Sequence, residues 1–141
     1  MAYLDTSILG SCYCPETLSD AVNRALSSLE EAAISPLVDV ELCSLVALKV
    51  RTRELTWSEA RGVLAQFRAH LDGGYFRVLQ IGQREYDTAR TWLATCRTTL
   101  RTLDALHLAC AFLHGETLWT TDKSLARAAS LLGTQCRLIA K

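Results

Sequence analysis

The chain is poor in conformational punctuation: its 141 residues include only 2 prolines and 7 glycines, so collagen-like, low-complexity and disordered architectures are excluded. It has no surplus of either charge. Lysine plus arginine and aspartate plus glutamate each number 15, for a formal net charge of zero, so net charge steers no polyanion toward it and a nucleic acid would have to be met by a local patch. No uninterrupted apolar stretch approaches the roughly 20 residues a bilayer requires, and the best candidate, residues 105–113, is broken by His107. The first residues reach Asp5 without a basic region or a long apolar core, an opening unlike a secretory signal, which predicts a cytoplasmic protein without a membrane partner. The six cysteines form no C-x-x-C pair and no histidine spacing accompanies them, which argues against zinc. Cys43, Cys110 and Cys136 lie in apolar segments and read as core thiols, while Cys12 and Cys14 read as incidental.

What is present is a hydrophobic half: 50% of residues are apolar and 21% charged, enough for one core and one domain over residues 1–141. Residues 1–5 read as a short buried strand, with Thr6 and Ser7 able to cap a helix over 7–11. Thr17 and Asp20 resemble a capping box for an amphipathic helix to about residue 32, and a strand follows at 33–35. Ser35 as N-cap and Pro36 at the first helical position open a helix to about residue 53. A second capping box at Thr56 and Glu59 opens another, to about residue 71, ended by Asp72, Gly73 and Gly74. A strand over 76–81, a helix over 83–96, and a helix from Thr102 to about residue 114 come next. A strand over 117–121, a helix over 122–132 capped by Asp122, and a strand over 135–140 complete the pattern. Short apolar strands alternating with helices predict an α/β domain of three layers, α/β/α, around a mainly parallel five-stranded sheet.

Four carboxylates have no evident partner of their own: Asp5, Glu41, Asp104 and Asp122. Burial of an unpaired carboxylate costs several kcal/mol, so a group of them persists if a cation gathers them. Asp5 and Asp122 follow strands, where an α/β sheet opens its ligand crevice, although each also suits a turn or helix cap. Glu41 shares the helical stripe of Leu37, Leu45 and Leu48, expected to be buried, with Asp39 pointing away toward solvent. Snorkelling at the stripe's edge is the other account of it. Asp104 suits a first helical turn, where the dipole favours an anion, and shares its side with Leu108, Ala111 and Phe112. His107 reads as a satisfied core histidine that could also touch a phosphate or a metal ligand. Oxygen ligands without a cysteine or histidine cluster favour Mg²⁺ or Mn²⁺, one or two ions, over zinc. Among basic residues Arg101 and Lys123 are nearest the acids in sequence. Trp57 and Trp92 read as core residues or as part of a partner surface.

Four blocks carry a resemblance: Tyr3 to Ser7, Ile34 to Glu41, Leu103 to Ala109, and Trp119 to Ala126. In this order, spanning nearly the whole chain, they resemble the PIN-domain ribonucleases of the VapC toxin family. The resemblance implies a parallel five-stranded sheet and an acidic pocket that binds Mg²⁺ or Mn²⁺ for hydrolysis of RNA. Carried over by motif, Asp5, Glu41, Asp104 and Asp122 would be the catalytic and metal-binding acids, with Ser7 and Thr120 as supporting hydroxyls. Arg101 and Lys123, by their nearness to these acids in sequence, are the candidate RNA contacts, a solvated charge or a helix-end partner being the other reading of each. It also implies a homodimer and inhibition by a small cognate antitoxin. Two other readings compete. A receiver-type phospho-accepting module shares the strand-end aspartates, but it would need adjacent acids after the first strand, where this chain has Thr6 and Ser7. A catalytically inert PIN-like protein that acts by binding a partner would keep the same fold.

Overall fold

The computed structural model describes residues 1–141. Five strands, Ala2–Leu4 (β1), Ala32–Ile34 (β2), Phe76–Val78 (β3), Thr117–Thr120 (β4) and Cys136–Leu138 (β5), form one sheet in the order β3-β2-β1-β4-β5. Every pairing is parallel. The helices are Thr6–Tyr13 (α1), Ser19–Leu26 (α2), Pro36–Arg51 (α3), Trp57–Asp72 (α4), Gln83–Ala94 (α5), Thr102–Leu113 (α6) and Lys123–Leu131 (α7). The architecture is the three-layer α/β/α domain expected. All residues of central β1 are buried, so both its faces are covered, which is why it reads as continuously apolar. One core joins Leu4, Ile8, Leu42, Phe67, Leu108 and Leu118, and a smaller cluster packs α5 on α6 through Ala89, Ala105 and Leu106. No helix is long and apolar enough to cross a membrane.

The departures from expectation have local causes. The capping box opening α4 forms as the sequence predicts, Thr56 and Glu59 bonding reciprocally. The helix expected over 17–32 shrinks to α2, and Thr17 does not cap it. Ser19 Oγ accepts instead from the Glu16 N–H at 2.8 Å, and Ser27 and Ser28 each bond a carbonyl three residues back at 2.7 Å, side-chain bonds that compete with helix continuation. Neither Ser35 nor Thr102 caps a helix through its side chain. The buried face of α3 is Val38, Leu42 and Val46, one residue over from the stripe predicted, so Leu37, Glu41 and Leu45 are half-buried and Leu48 is exposed. Asp39, expected in solvent, is half-buried and pairs with Arg68 at 3.1 Å. Cys43 is exposed rather than a core thiol, Cys136 is half-buried, and Cys110 and Cys14 are buried; all six are free. Trp57 is 68% exposed, whereas Trp92 is half-buried and meets Phe112 edge-on.

Ser35 is diverted from capping by Tyr3. The phenol of this fully buried residue lies 2.7 Å from Ser35 Oγ and 2.7 Å from His107 Nδ1, tying β1, the start of α3 and α6 together. Burial, opposed in part by the Ser35 hydrogen bond, pushes the Tyr3 phenol well above its ordinary range, so it stays protonated. At the opposite edges of the strands Glu116, also buried, pairs with Arg77, which binds Glu31 at 2.9 Å. Replacing Tyr3 by Phe keeps the ring and strands two buried polar partners. Tyr3→Phe is therefore expected to cost about 1–3 kcal/mol, read as a melting temperature several degrees lower.

Candidate functional site

From β1 the chain proceeds to β2 and β3 on one side of the sheet, then returns past β1 to β4 and β5 on the other. The reversal makes a switch point between β1 and β4, and the crevice of such a sheet opens at the carboxyl ends of its strands. Asp5 is the first residue after β1, and Asp122 lies two residues after β4. Register fixes their relation, because Leu4 pairs with Trp119 and the Asp5 N–H bonds the Trp119 carbonyl at 3.2 Å.

Both aspartates cap the helices that leave these strands. Asp5, only 4% exposed, accepts at Oδ1 from the Ile8 N–H at 3.2 Å and from Ser7 Oγ at 2.5 Å. Asp122 Oδ1 accepts from the N–H groups of Ser124 at 2.8 Å and Leu125 at 3.2 Å. Ser7 and Thr120 connect the two acids. Ser7 Oγ accepts from the Thr121 N–H at 2.9 Å and lies 3.3 Å from Thr120 Oγ1, which accepts from the Asp122 N–H at 3.0 Å. The cap at the head of α1 is Asp5 itself, one of the two roles its sequence position suits, and not Thr6 or Ser7, which were expected to cap that helix; Ser7 is turned inward to hold Asp5.

Asp104 enters from the first turn of α6 with a side chain 25% exposed, its Oδ2 3.7 Å from Arg101 Nε. Burial pushes its carboxyl above the ordinary range, and the charges of Asp122 and Asp5 add to that rise against Arg101 and His107. Asp104 therefore lies within electrostatic reach of both Asp122 and Asp5. Asp5 is raised too, chiefly by burial, with the Ser7 and Thr120 hydroxyls opposing. Glu41 differs. Burial pushes it up, but its hydrogen bond to His107, the charge of His107 and the Thr6 hydroxyl outweigh this and hold it low. Its Oε1 accepts from Thr6 Oγ1 at 3.0 Å and contacts His107 Nε2.

His107 is a core histidine, 2% exposed, and at the same time the partner of a site acid. The contacts run in one unbroken chain, from Ser35 Oγ to the Tyr3 hydroxyl, from Tyr3 to His107 Nδ1, and from His107 Nε2 to Glu41. Thr6, Tyr3 and Ser35 were not singled out as site residues by sequence. The available signal was Tyr3 itself, because a tyrosine in a strand buried on both faces must find a partner for its hydroxyl. Of the two basic residues nearest the acids in sequence, Arg101 is beside Asp104, while Lys123 is exposed on the first turn of α7 and forms no ion pair.

The acids form a cluster, not a closed cage: no three His, Cys, Asp or Glu side chains are grouped closely enough to ligate one ion. The chemistry of the donor set nevertheless fits a hard divalent cation. Two of its carboxylates are raised by burial, one of these also by like charge, and the donors that surround them are hydroxyls and backbone N–H groups without a buried lysine or arginine.

The solved structure of FitAcB from Neisseria gonorrhoeae is similar at 23% identity, with a TM-score of 0.70 and 96% of each chain covered. VapC20 of Mycobacterium tuberculosis, a toxin that cleaves the sarcin-ricin loop, shares 17% identity at a TM-score of 0.71, covering 91% of this chain and 95% of that one. VapBC2 of Rickettsia felis, solved with a fragment of its promoter DNA, shares 19% identity at a TM-score of 0.69, covering 99% of this chain and 100% of that one. At such identities the likeness concerns the fold. No curated protein sequence matches the chain. The family model described as the PIN domain matches residues 2–131, and with that span, the 3-2-1-4-5 parallel sheet and the acids at its carboxyl edge, the chain belongs to the PIN domain family.

Proposed function

We propose that the chain is a metal-dependent endoribonuclease, the toxin of a toxin and antitoxin pair. The observation that carries this reading is the position of Asp5 and Asp122 at the ends of the adjacent strands β1 and β4, joined through Ser7 and Thr120, with Asp104 raised chiefly by burial and further by their charges. Similarity to toxins solved with their antitoxins, and to one that cuts RNA, supports it. Asp5, Glu41, Asp104 and Asp122 would hold one or two Mg²⁺ or Mn²⁺ ions. Such an ion, when bound, supplies Lewis-acid stabilisation of charge at the scissile phosphate.

The residues of the chain prepare that site. Ser7 and the head of α1 fix the Asp5 carboxylate, Thr120 and the head of α7 fix the approach to Asp122, and His107 with Thr6 fixes Glu41. Three orientations are set before any ligand arrives, which is the preorganisation that electrostatic catalysis needs. Tyr86 on α5 and Phe112 on α6 are exposed and give apolar surface for a second copy or an antitoxin.

Cleavage of single-stranded RNA by the purified protein should require Mg²⁺ or Mn²⁺, and Asp104→Asn should slow it by about two orders of magnitude or more, the scale on which loss of one electrostatic stabiliser acts. RNA left intact by the wild type with either ion, while an antitoxin still binds, would instead establish the inert, partner-binding reading.

Asp5→Asn separates the charge from the cap, because asparagine caps a helix as well as aspartate does. For an acid raised on folding, the folded state binds more protons than the unfolded one between the two pKa values, so stability falls as pH rises through that window. Metal-free Asp5→Asn is therefore expected to melt above the wild type near neutral pH, with the gap closing on acidification below the ordinary carboxylate range. Mg²⁺ or Mn²⁺ should raise the melting temperature of the wild type and do so much less for the variant. Identical melting curves in all conditions would remove Asp5 from the ion site.

A further inference from the structure

A groove of about 630 Å³ opens from the acid site between α1, α3 and the head of α6. It is lined by Thr6, Ser7 and Glu41, residues that hold or belong to the acid set. The lining also includes two arginines, Arg51 and Arg101, and three leucines, Leu45, Leu48 and Leu103. Glu41 and Arg51 are ten residues apart on α3, about 15 Å along the helix axis, so the groove is longer than one nucleotide.

We infer that this groove is the path of a single RNA strand into the acid site, with Arg51 and Arg101 gripping its phosphates and the leucines meeting its bases. The inference rests on the ribonuclease reading and assigns the substrate's route. Phosphates brought beside several carboxylates need cations nearby, and in a chain of zero net charge these must be local. Arg68 and Arg77 are engaged by Asp39, Glu31 and Glu116, but Arg51 is exposed and has no carboxylate within ion-pair reach. Arg101, with a side chain 84% exposed, touches Asp104 only at 3.7 Å, a pair that solvent screens and a phosphate can replace. The planar fork of arginine suits two phosphate oxygens at once.

The apolar component selects the form of the nucleic acid. Leu48 and Leu103 are exposed and Leu45 is half-buried, a surface that a duplex, its bases already stacked inside, could not use. An unpaired strand can turn base faces onto it while its backbone follows the arginines. Lys123 does not line the groove, so it falls outside the path.

The test uses the full chain carrying Asp5→Asn, so that a labelled single-stranded RNA remains intact in Mg²⁺ while its binding is followed by fluorescence anisotropy over a series of salt concentrations. Adding Arg51→Ala should weaken binding several-fold and lower the slope of log affinity against log salt by about 0.7, with a further similar step for Arg101→Ala, the value expected for each lost phosphate contact on a single strand. Arg51→Lys should keep the slope but lose part of the affinity, a split that a merely structural residue would not produce. A duplex of the same sequence should bind more weakly than the single strand. Unchanged affinity and slope in the double arginine variant, with the wild type still cutting RNA, would overturn this path and leave the ribonuclease reading standing. The same result joined to weakened capture of an antitoxin would give the groove to a protein partner and overturn it equally. A wild type that neither binds nor cuts RNA would remove the ribonuclease reading and this path together.

Discussion

Parallel pairing of β1 with β4 is the constraint on which the site depends. Leu4 opposite Trp119 brings the ends of two strands level, and the bond from the Asp5 N–H to the Trp119 carbonyl extends the ladder one residue past the last strand position. The chain must then leave the sheet on both strands at the same height. It does so through helices whose first N–H groups need acceptors, and Asp5 and Asp122 provide them. Two acids are in this way brought side by side by requirements of the backbone. Ser7 and Thr120 complete the arrangement with hydroxyls that can donate on one side and accept on the other.

The second pair of acids is held by different means. Asp104 reaches the cluster from α6, and Glu41 from α3, so neither depends on strand register. Glu41 is set by His107, which is set by Tyr3 in the central strand, so the most buried tyrosine of the sheet and a half-buried acid at the crevice belong to one hydrogen-bonded chain. Substitutions in the core at Tyr3 or Ser35 consequently act on the acid site through one histidine.

Much of this was legible because local signals agreed with the global pattern. Strand ends followed at once by an acid and hydroxyl residues located Asp5, and the alternation of short apolar strands with helices located the sheet, its class and nearly all its members. What was illegible depended on contacts between segments distant in sequence. Ser35 and Pro36 have the form of a helix start, and the helix is there, but the hydroxyl is used by Tyr3, 32 residues earlier. The stripe of α3 was misread by one position because Val38, Leu42 and Val46 compete with Leu37, Leu45 and Leu48 on an apolar helix with no sharp face. Cys43 was assigned to the core for lying in an apolar segment, but on this helix it is exposed. His107 was legible as a core histidine that could also touch one of the candidate acids, but not which acid, since Glu41 lies 66 residues away.

The two capped helices also bear on how the crevice tolerates its acids. Each head of α1 and α7 presents about half a positive charge, and each is directed at the aspartate that caps it. Asp5 and Asp122 are thus partly compensated where they stand, by peptide dipoles and not by a lysine or arginine, so the backbone that seats them also moderates the repulsion between them.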